Sequence, residues 1–218
     1  MELINSINVW GIDFDIYKGP LGISCSGGAD SSSLLYMLML NTAEKINIFT
    51  TVSNFKQRKS LLVTANVIEK CISLTGNSNI EQHLHFCDNQ TINNLFTIPK
   101  KWLHDDLITV LYTGITATPP FDVMESFNNK MDIVDKTQRN PKIKKETFKN
   151  KFYMPFYNIN KQRIMDLYNH YGLIDNLYPI TRSCEWTTDY DAPDPGLGHC
   201  GKCWWCEERA WGSSNYNV

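Results

Sequence analysis

Two short stretches of this chain carry side chains dense and regular enough for chemistry. The first is "CSGGADSSS", residues 25–33, where two glycines and a run of serines surround one aspartate. Glycines let a backbone turn its amides toward an anion without a Cβ in the way, a following helix adds its positive N-terminal end, and serine hydroxyls add donors. Ser26, Gly27, Gly28, Ser31 and Ser32 are therefore candidates to cradle a phosphate. Asp30 has two readings, as a cap for the helix amides or as a carboxylate that places a magnesium ion against phosphate charge. Plain turn chemistry also accounts for such a stretch, and the lysine of the common GxxxxGK[ST] loop is missing.

The second stretch is "CGKCWWC", with Cys200, Cys203 and Cys206, to which Cys184 adds a fourth thiol from upstream. Four cysteines fill the tetrahedral shell of zinc, and a shell filled by protein is structural, not catalytic. The overlapping spacing and the fourth cysteine favour a metal over a redox pair, while spacing leaves an iron–sulfur cluster open. His199 adjoins the cluster and has two readings, as an ordinary surface histidine or as a ligand in place of one cysteine.

Both stretches need elements to hold them. "PLGISCSGG" reads as a short buried strand running into the glycines, and "DSSSLLYMLML" as the helix after it. "KINIFTTVS" gives a second strand, and "RKSLLVTANVIEKC" a helix with Leu61, Leu62, Ala65, Ile68 and Cys71 on its apolar face. "QHLHF" and "LITVLYTGIT" are further strands, separated by a helical segment that Pro99 interrupts. This alternation predicts an α/β fold with a parallel sheet wrapped by helices, and places the glycine stretch beyond a strand's carboxyl end, where such sheets bind ligands. Later, Asn160 caps a helix opening at Lys161, with Ile164, Leu167 and Tyr168 inward and Gly172 at its stop. A main domain over 1–151 and a helical, cysteine-bearing region over 152–218 are expected.

The 218 residues are 42% hydrophobic and 20% charged, the balance of a globular chain, and the net charge of −2 provides no general pull on polyanions. Without a signal-type N-terminus or a membrane-length apolar run, a cytoplasmic protein with reduced cysteines is expected. Residues 127–151 are the basic exception, read as a solvated loop or as an arm that touches RNA or DNA through 130–151.

"SGGADS" resembles the SGGxDS pyrophosphate loop of the N-type ATP pyrophosphatases. Together with "CGKCWWCEER" it resembles the 7-cyano-7-deazaguanine synthase family within that superfamily. "FKQRKSLLVTA" is similar to that family's YGQRH segment, carrying Gln57 and Arg58, and "MPFYNINKQRIMDLYNHYGL" to its proline and lysine-led helix, matching at Pro155 and Lys161. The substrate-side segment departs from the family pattern: "TGITATPPFDVMESF" keeps only Asp122 and Phe127.

The resemblance implies a Rossmann-like sheet of the adenine nucleotide alpha hydrolase type, with helices on both faces and a small C-terminal zinc subdomain. It implies ATP, Mg2+ and Zn2+ as cofactors. A carboxylate of 7-carboxy-7-deazaguanine would attack the α-phosphate of ATP and release pyrophosphate. Ammonia would then displace AMP, and a second ATP would convert the amide to the nitrile. Ser26, Gly27, Gly28, Asp30, Ser31, Ser32, Gln57 and Arg58 would hold the nucleotide, with Asp30 and Lys161 as catalytic residues and Arg209 as a further contact. Cys184, Cys200, Cys203 and Cys206 would hold the zinc. A homodimer is compatible with this reading. So are a related enzyme acting on another base or on tRNA, and an ATP-binding zinc module without turnover.

Overall fold

The computed structural model describes residues 1–53, 58–87, 96–127, 151–184, 199–216 and 218. The chain opens with a hairpin of β1 (Leu3–Val9) and β2 (Ile12–Tyr17), paired antiparallel. Trp10 and Gly11, at φ 51° and 78°, form the turn between them, the two positive φ values that a two-residue hairpin loop requires. In β2, Ile12, Phe14 and Ile16 point inward and Asp13 outward, the period-two alternation of a half-buried strand.

Five further strands make an all-parallel sheet: β3 (Leu21–Ser24), β4 (Ile46–Ser53), β5 (Ile80–Cys87), β6 (Val110–Thr113) and β7 (Phe152–Tyr153), ordered β5-β4-β3-β6-β7. β3 and β6 are buried almost throughout, as strands covered on both faces must be. On one face, Ile23, Ile48, Val110 and Tyr112 meet α1 (Ala29–Asn41), α2 (Arg58–Thr75) and α5 (Lys161–His170). On the other, Phe49 and Leu111 meet Leu103 of α3 (Thr97–His104). The hairpin docks through two tyrosines: Tyr112 Oη donates to the Asp15 carbonyl at 2.9 Å, and the Asp15 amide donates to Tyr153 Oη at 2.9 Å. Among the described residues no helix is long and apolar enough to cross a membrane.

Several expectations need correction. α2 buries Val63, Val67, Ile68 and Cys71, while Leu62 is 62% exposed, so the inward face is rotated from the one read in the sequence. Pro99 does not interrupt α3. It lies in the first turn, where an amide has no helical acceptor to lose. The α5 boundaries hold: the Asn160 side chain accepts from the amides of Gln162 and Arg163, and Gly172 takes φ +65° after the last turn. Lys151, at the end of the basic stretch, pairs with Asp106 at 2.6 Å. The rest of that stretch from residue 128 to 150, and Gln57, lie outside the described residues.

α1 is buried all round, from Ala29 to Met39 with only Asp30 less covered. A helix can sit so deep only if its polar groups are satisfied, and the hydroxyls of Ser31, Ser32 and Ser33 bond back to the carbonyls of Gly28, Gly28 and Asp30. Its N-terminus emerges at the carboxyl ends of β3 and β6, where the strand order reverses, the place at which open parallel sheets bind ligands.

Candidate functional site

The glycine stretch turns between β3 and α1. Cys25 prolongs the β3–β4 pairing by donating its amide to the Phe49 carbonyl at 2.9 Å, and the chain then reverses at Gly27 with φ +76°. A Cβ on Gly27 would lie 2.7 Å from Val63 Cγ1 and 3.2 Å from the Thr64 amide nitrogen, so the turn is pressed onto α2. Gly28 is the N-cap of α1 and offers no side-chain cap, which leaves the first-turn amides without a helical acceptor. Gly114, just past β6, closes the other side: a Cβ there would come within 2.9 Å of the Ser31 amide nitrogen and 3.0 Å of the Asp30 carbonyl carbon.

We expect Gly27→Ala to lower stability by about 2–3 kcal/mol, from a left-handed φ and a crowded Cβ together. Gly76, with φ +71° and nothing within 4 Å of its Cβ position, is the control. Gly76→Ala should cost only about 1 kcal/mol in the same thermal unfolding experiment. Equal losses would mean that the contact with α2 carries no energy.

The serines divide by role. The Ser31 hydroxyl accepts from the Ser26 amide at 3.2 Å and lies 3.3 Å from Ser26 Oγ, so the two stand together on the turn. Ser32 is fully buried and gives its hydroxyl to the Gly28 carbonyl at 2.8 Å, which makes it a brace of the turn. Asp30 does not cap α1. Its Oδ2 meets the Lys161 ammonium in an ion pair, and its Oδ1 is buried with no hydrogen-bond partner. That pairing joins the start of α1 to the start of α5, and Tyr168, two turns further along α5, adds a second tie by donating Oη to the Ala29 carbonyl at 2.8 Å.

Lys161 is itself buried, and the Glu208 carboxylate stands 4.0 Å from its Nζ. Burial alone would push its pKa down, but the charges of Asp30 and Glu208 and the hydrogen bond to Asp30 outweigh that and the opposing Arg209, leaving the ammonium above the ordinary lysine value. The lysine is charged at neutral pH and aimed at the glycine turn.

Glu208 belongs to α6 (Trp204–Gly212), which begins at the cysteine cluster with Cys203 as its N-cap. The four sulfur atoms of Cys184, Cys200, Cys203 and Cys206 lie within 4.8 Å of one another, and none is in a disulfide. Sulfurs held at ~2.3 Å around a tetrahedral zinc sit about 3.8 Å apart. Cys200 and Cys206 are 3.8 Å apart, and Cys184 and Cys203 are 3.9 Å apart, so two edges of that tetrahedron are already formed. The amides of Lys202 and Cys203 point at Cys200 Sγ from 3.5 and 3.3 Å, donors suited to a thiolate. The cluster can bind a metal such as zinc. His199 is half-buried beside the cluster: its Nδ1 lies 3.7 Å from Cys206 Sγ, and burial pulls its pKa down to about 4.

Arg209 holds the segment that adjoins the glycine turn. Its guanidinium donates to Thr181 Oγ1 and the Tyr178 carbonyl, both at 2.9 Å, and lies 3.7 Å over the Tyr178 ring. The next residue along, Arg182, donates its amide to the Gly27 carbonyl at 2.9 Å, and its Nε is buried without a partner. Asp122 and Phe127 lie on and after α4 (Phe121–Ser126), and Phe127 packs edge-on against Trp204 with ring centroids 5.6 Å apart. Arg58 opens α2 in the backbone, while its side chain is outside what is described.

Sequence reasoning missed Arg182, Glu208, Gly114 and Gly212. The only local hint was the two glycines, whose need becomes visible once neighbouring backbone is seen against them. No family model matches this sequence, and no curated protein matches it either.

Proposed function

We propose that the chain binds ATP with magnesium at the glycine turn and uses it to adenylate a carboxylate, releasing pyrophosphate. The observation that carries this reading is the Gly27 reversal at the end of the central strand, with uncapped helix amides on one side and the Asp30–Lys161 pair on the other. Such a turn at a helix N-terminus and at the reversal of a parallel sheet supports a Rossmann-like architecture of the adenine nucleotide alpha hydrolase type. Magnesium, when bound, would supply positive charge against the phosphate oxygens. The unpartnered Asp30 Oδ1 fits that ion, and the charged Lys161 fits the phosphates.

The acceptor follows from the sequence resemblance. We propose 7-carboxy-7-deazaguanine, whose carboxylate oxygen bonds to the α-phosphorus as the bond to pyrophosphate breaks. Ammonia then takes the acyl carbon and AMP leaves, giving the amide. A second ATP activates the amide oxygen, which departs with AMP as the nitrogen gives up its protons and the nitrile forms. The protein's work is alignment and charge neutralisation, so no protein nucleophile is needed. The cysteine cluster, filled by zinc, is structural in this reading.

The test is AMP, pyrophosphate and nitrile formation from ATP, magnesium, ammonium and 7-carboxy-7-deazaguanine, followed by chromatography with mass detection. The expected result is nitrile with two AMP per product. AMP release only with RNA or with another acid would reject the deazaguanine and retain the adenylation. ATP binding with no acceptor-dependent AMP release would reject the enzyme.

A further inference from the structure

The cysteine cluster and the glycine turn are far apart in sequence, yet one short helix touches both. α6 starts on Cys203 and, within its nine residues, places three groups on the nucleotide side. Glu208 sets its carboxylate 4.0 Å from Lys161 Nζ. At Gly212, α6 closes on the first turn of α5 so tightly that a Cβ would lie 2.5 Å from Lys161 Cβ and 3.2 Å from its carbonyl carbon. Arg209 ties α6 to Tyr178, Thr181 and Ser183, and the segment it holds passes Arg182 to the Gly27 carbonyl. Two mechanical routes thus run from the cluster to the turn, one through Lys161 to Asp30 and one through Arg182 to Gly27.

We infer that metal held by the four cysteines and nucleotide held by the glycine turn stabilise each other through α6, with Glu208 and Gly212 as the residues that position Lys161. The inference rests on the nucleotide reading of the turn. Its physical basis is that α6, besides the packing of Trp204 on Met124 and Phe127, is held at its start by the cluster and at its end by the first turn of α5. Its N-cap is a cluster cysteine, and its buried face consists of Trp204, Cys206, Glu208 and Gly212. Metal that fixes Cys203 and Cys206 fixes the start of the helix, and a lysine already held at the turn fixes its end. Coupling of this kind is reciprocal: whatever factor the metal adds to nucleotide affinity, the nucleotide adds to metal retention.

The test uses the zinc-loaded full chain and measures release of zinc to a chromogenic chelator, with and without MgATP, alongside calorimetric MgATP binding. Saturating MgATP should slow zinc release on the order of tenfold. Glu208→Gln and Gly212→Ala should each keep one zinc per chain yet lose most of that slowing and bind MgATP more weakly. Alanine is a better helix former than glycine, so an effect of Gly212→Ala would come from the contact and not from the helix. A merely structural role for these residues would change stability and leave the effect of nucleotide on zinc release in place. Wild-type protein that binds MgATP but releases zinc at an unchanged rate overturns the coupling. Wild-type protein that binds no MgATP overturns the nucleotide reading, and the coupling with it, by a different signature.

Discussion

Lys161→Met should cut acceptor-dependent AMP release by about 10^2 to 10^3 and lower the melting temperature as well. In the proposed adenylation the catalytic part follows from removing a fixed positive charge that would face the phosphates. The stability part has a separate origin. Methionine keeps most of the stem volume, but it leaves the carboxylates of Asp30 and Glu208 facing each other without the cation between them. Breaking a wholly buried pair costs ~3–5 kcal/mol. Here the side chains of Lys161 and Asp30 keep 11% and 18% of their exposure, so about 2 kcal/mol and a fall of about 4–8 °C are expected. The two effects separate in the double variant Lys161→Met, Asp30→Asn. Neutralising Asp30 should restore much of the melting temperature and none of the turnover. Turnover that recovers together with stability would mean that Lys161 only holds the fold.

That pair also shows how far the residues could be read before folding. Asp30 and Lys161 were each legible, one in a glycine-rich turn and one at the start of a capped helix. Their contact spans 131 positions and has no local signature. Gly27 could be singled out because glycines after a strand let the backbone turn its amides toward an anion, and its φ of +76° is a value that favours glycine. Gly114 and Gly212 could not, because their requirement is imposed by backbone from other elements. The same limit explains α2. A helix whose residues 61–68 are mostly apolar or small offers two overlapping faces at a period of 3.6, and only the sheet beneath it selects Val63 and Val67 over Leu62. The four cysteines lie at the opposite extreme: ligand chemistry fixes their spacing, so the sequence announced the cluster and the structure brings the sulfurs together.

Removing one ligand of that cluster should have the broadest effect in the molecule. In Cys203→Ala, zinc content measured by metal analysis should fall to near zero, the melting temperature should drop by 10 °C or more, and limited proteolysis should cut within residues 184–218, an expectation scaled to the ~10–16 kcal/mol of apparent binding energy in small structural zinc sites. Cys203 is both a sulfur of the cluster and the N-cap of α6, so its loss releases the helix that carries Glu208 and Arg209. Cys87, on the edge strand β5 and outside the cluster, is the control, and Cys87→Ser should keep its zinc. Acid should act as the cysteine substitution does. Thiols must lose their protons to bind zinc, so retention falls as pH falls, and a stirred chelator should strip the metal faster at pH 5.5 than at pH 7.5. A chain that kept its melting temperature and its Lys161 environment after losing zinc would show that α6 is held by its tryptophans instead. Trp204 packs on Met124 and Phe127, which makes that cluster the competing anchor. Trp204→Ala measured beside Cys203→Ala therefore ranks the two: the metal dominates if Cys203→Ala alone abolishes MgATP binding.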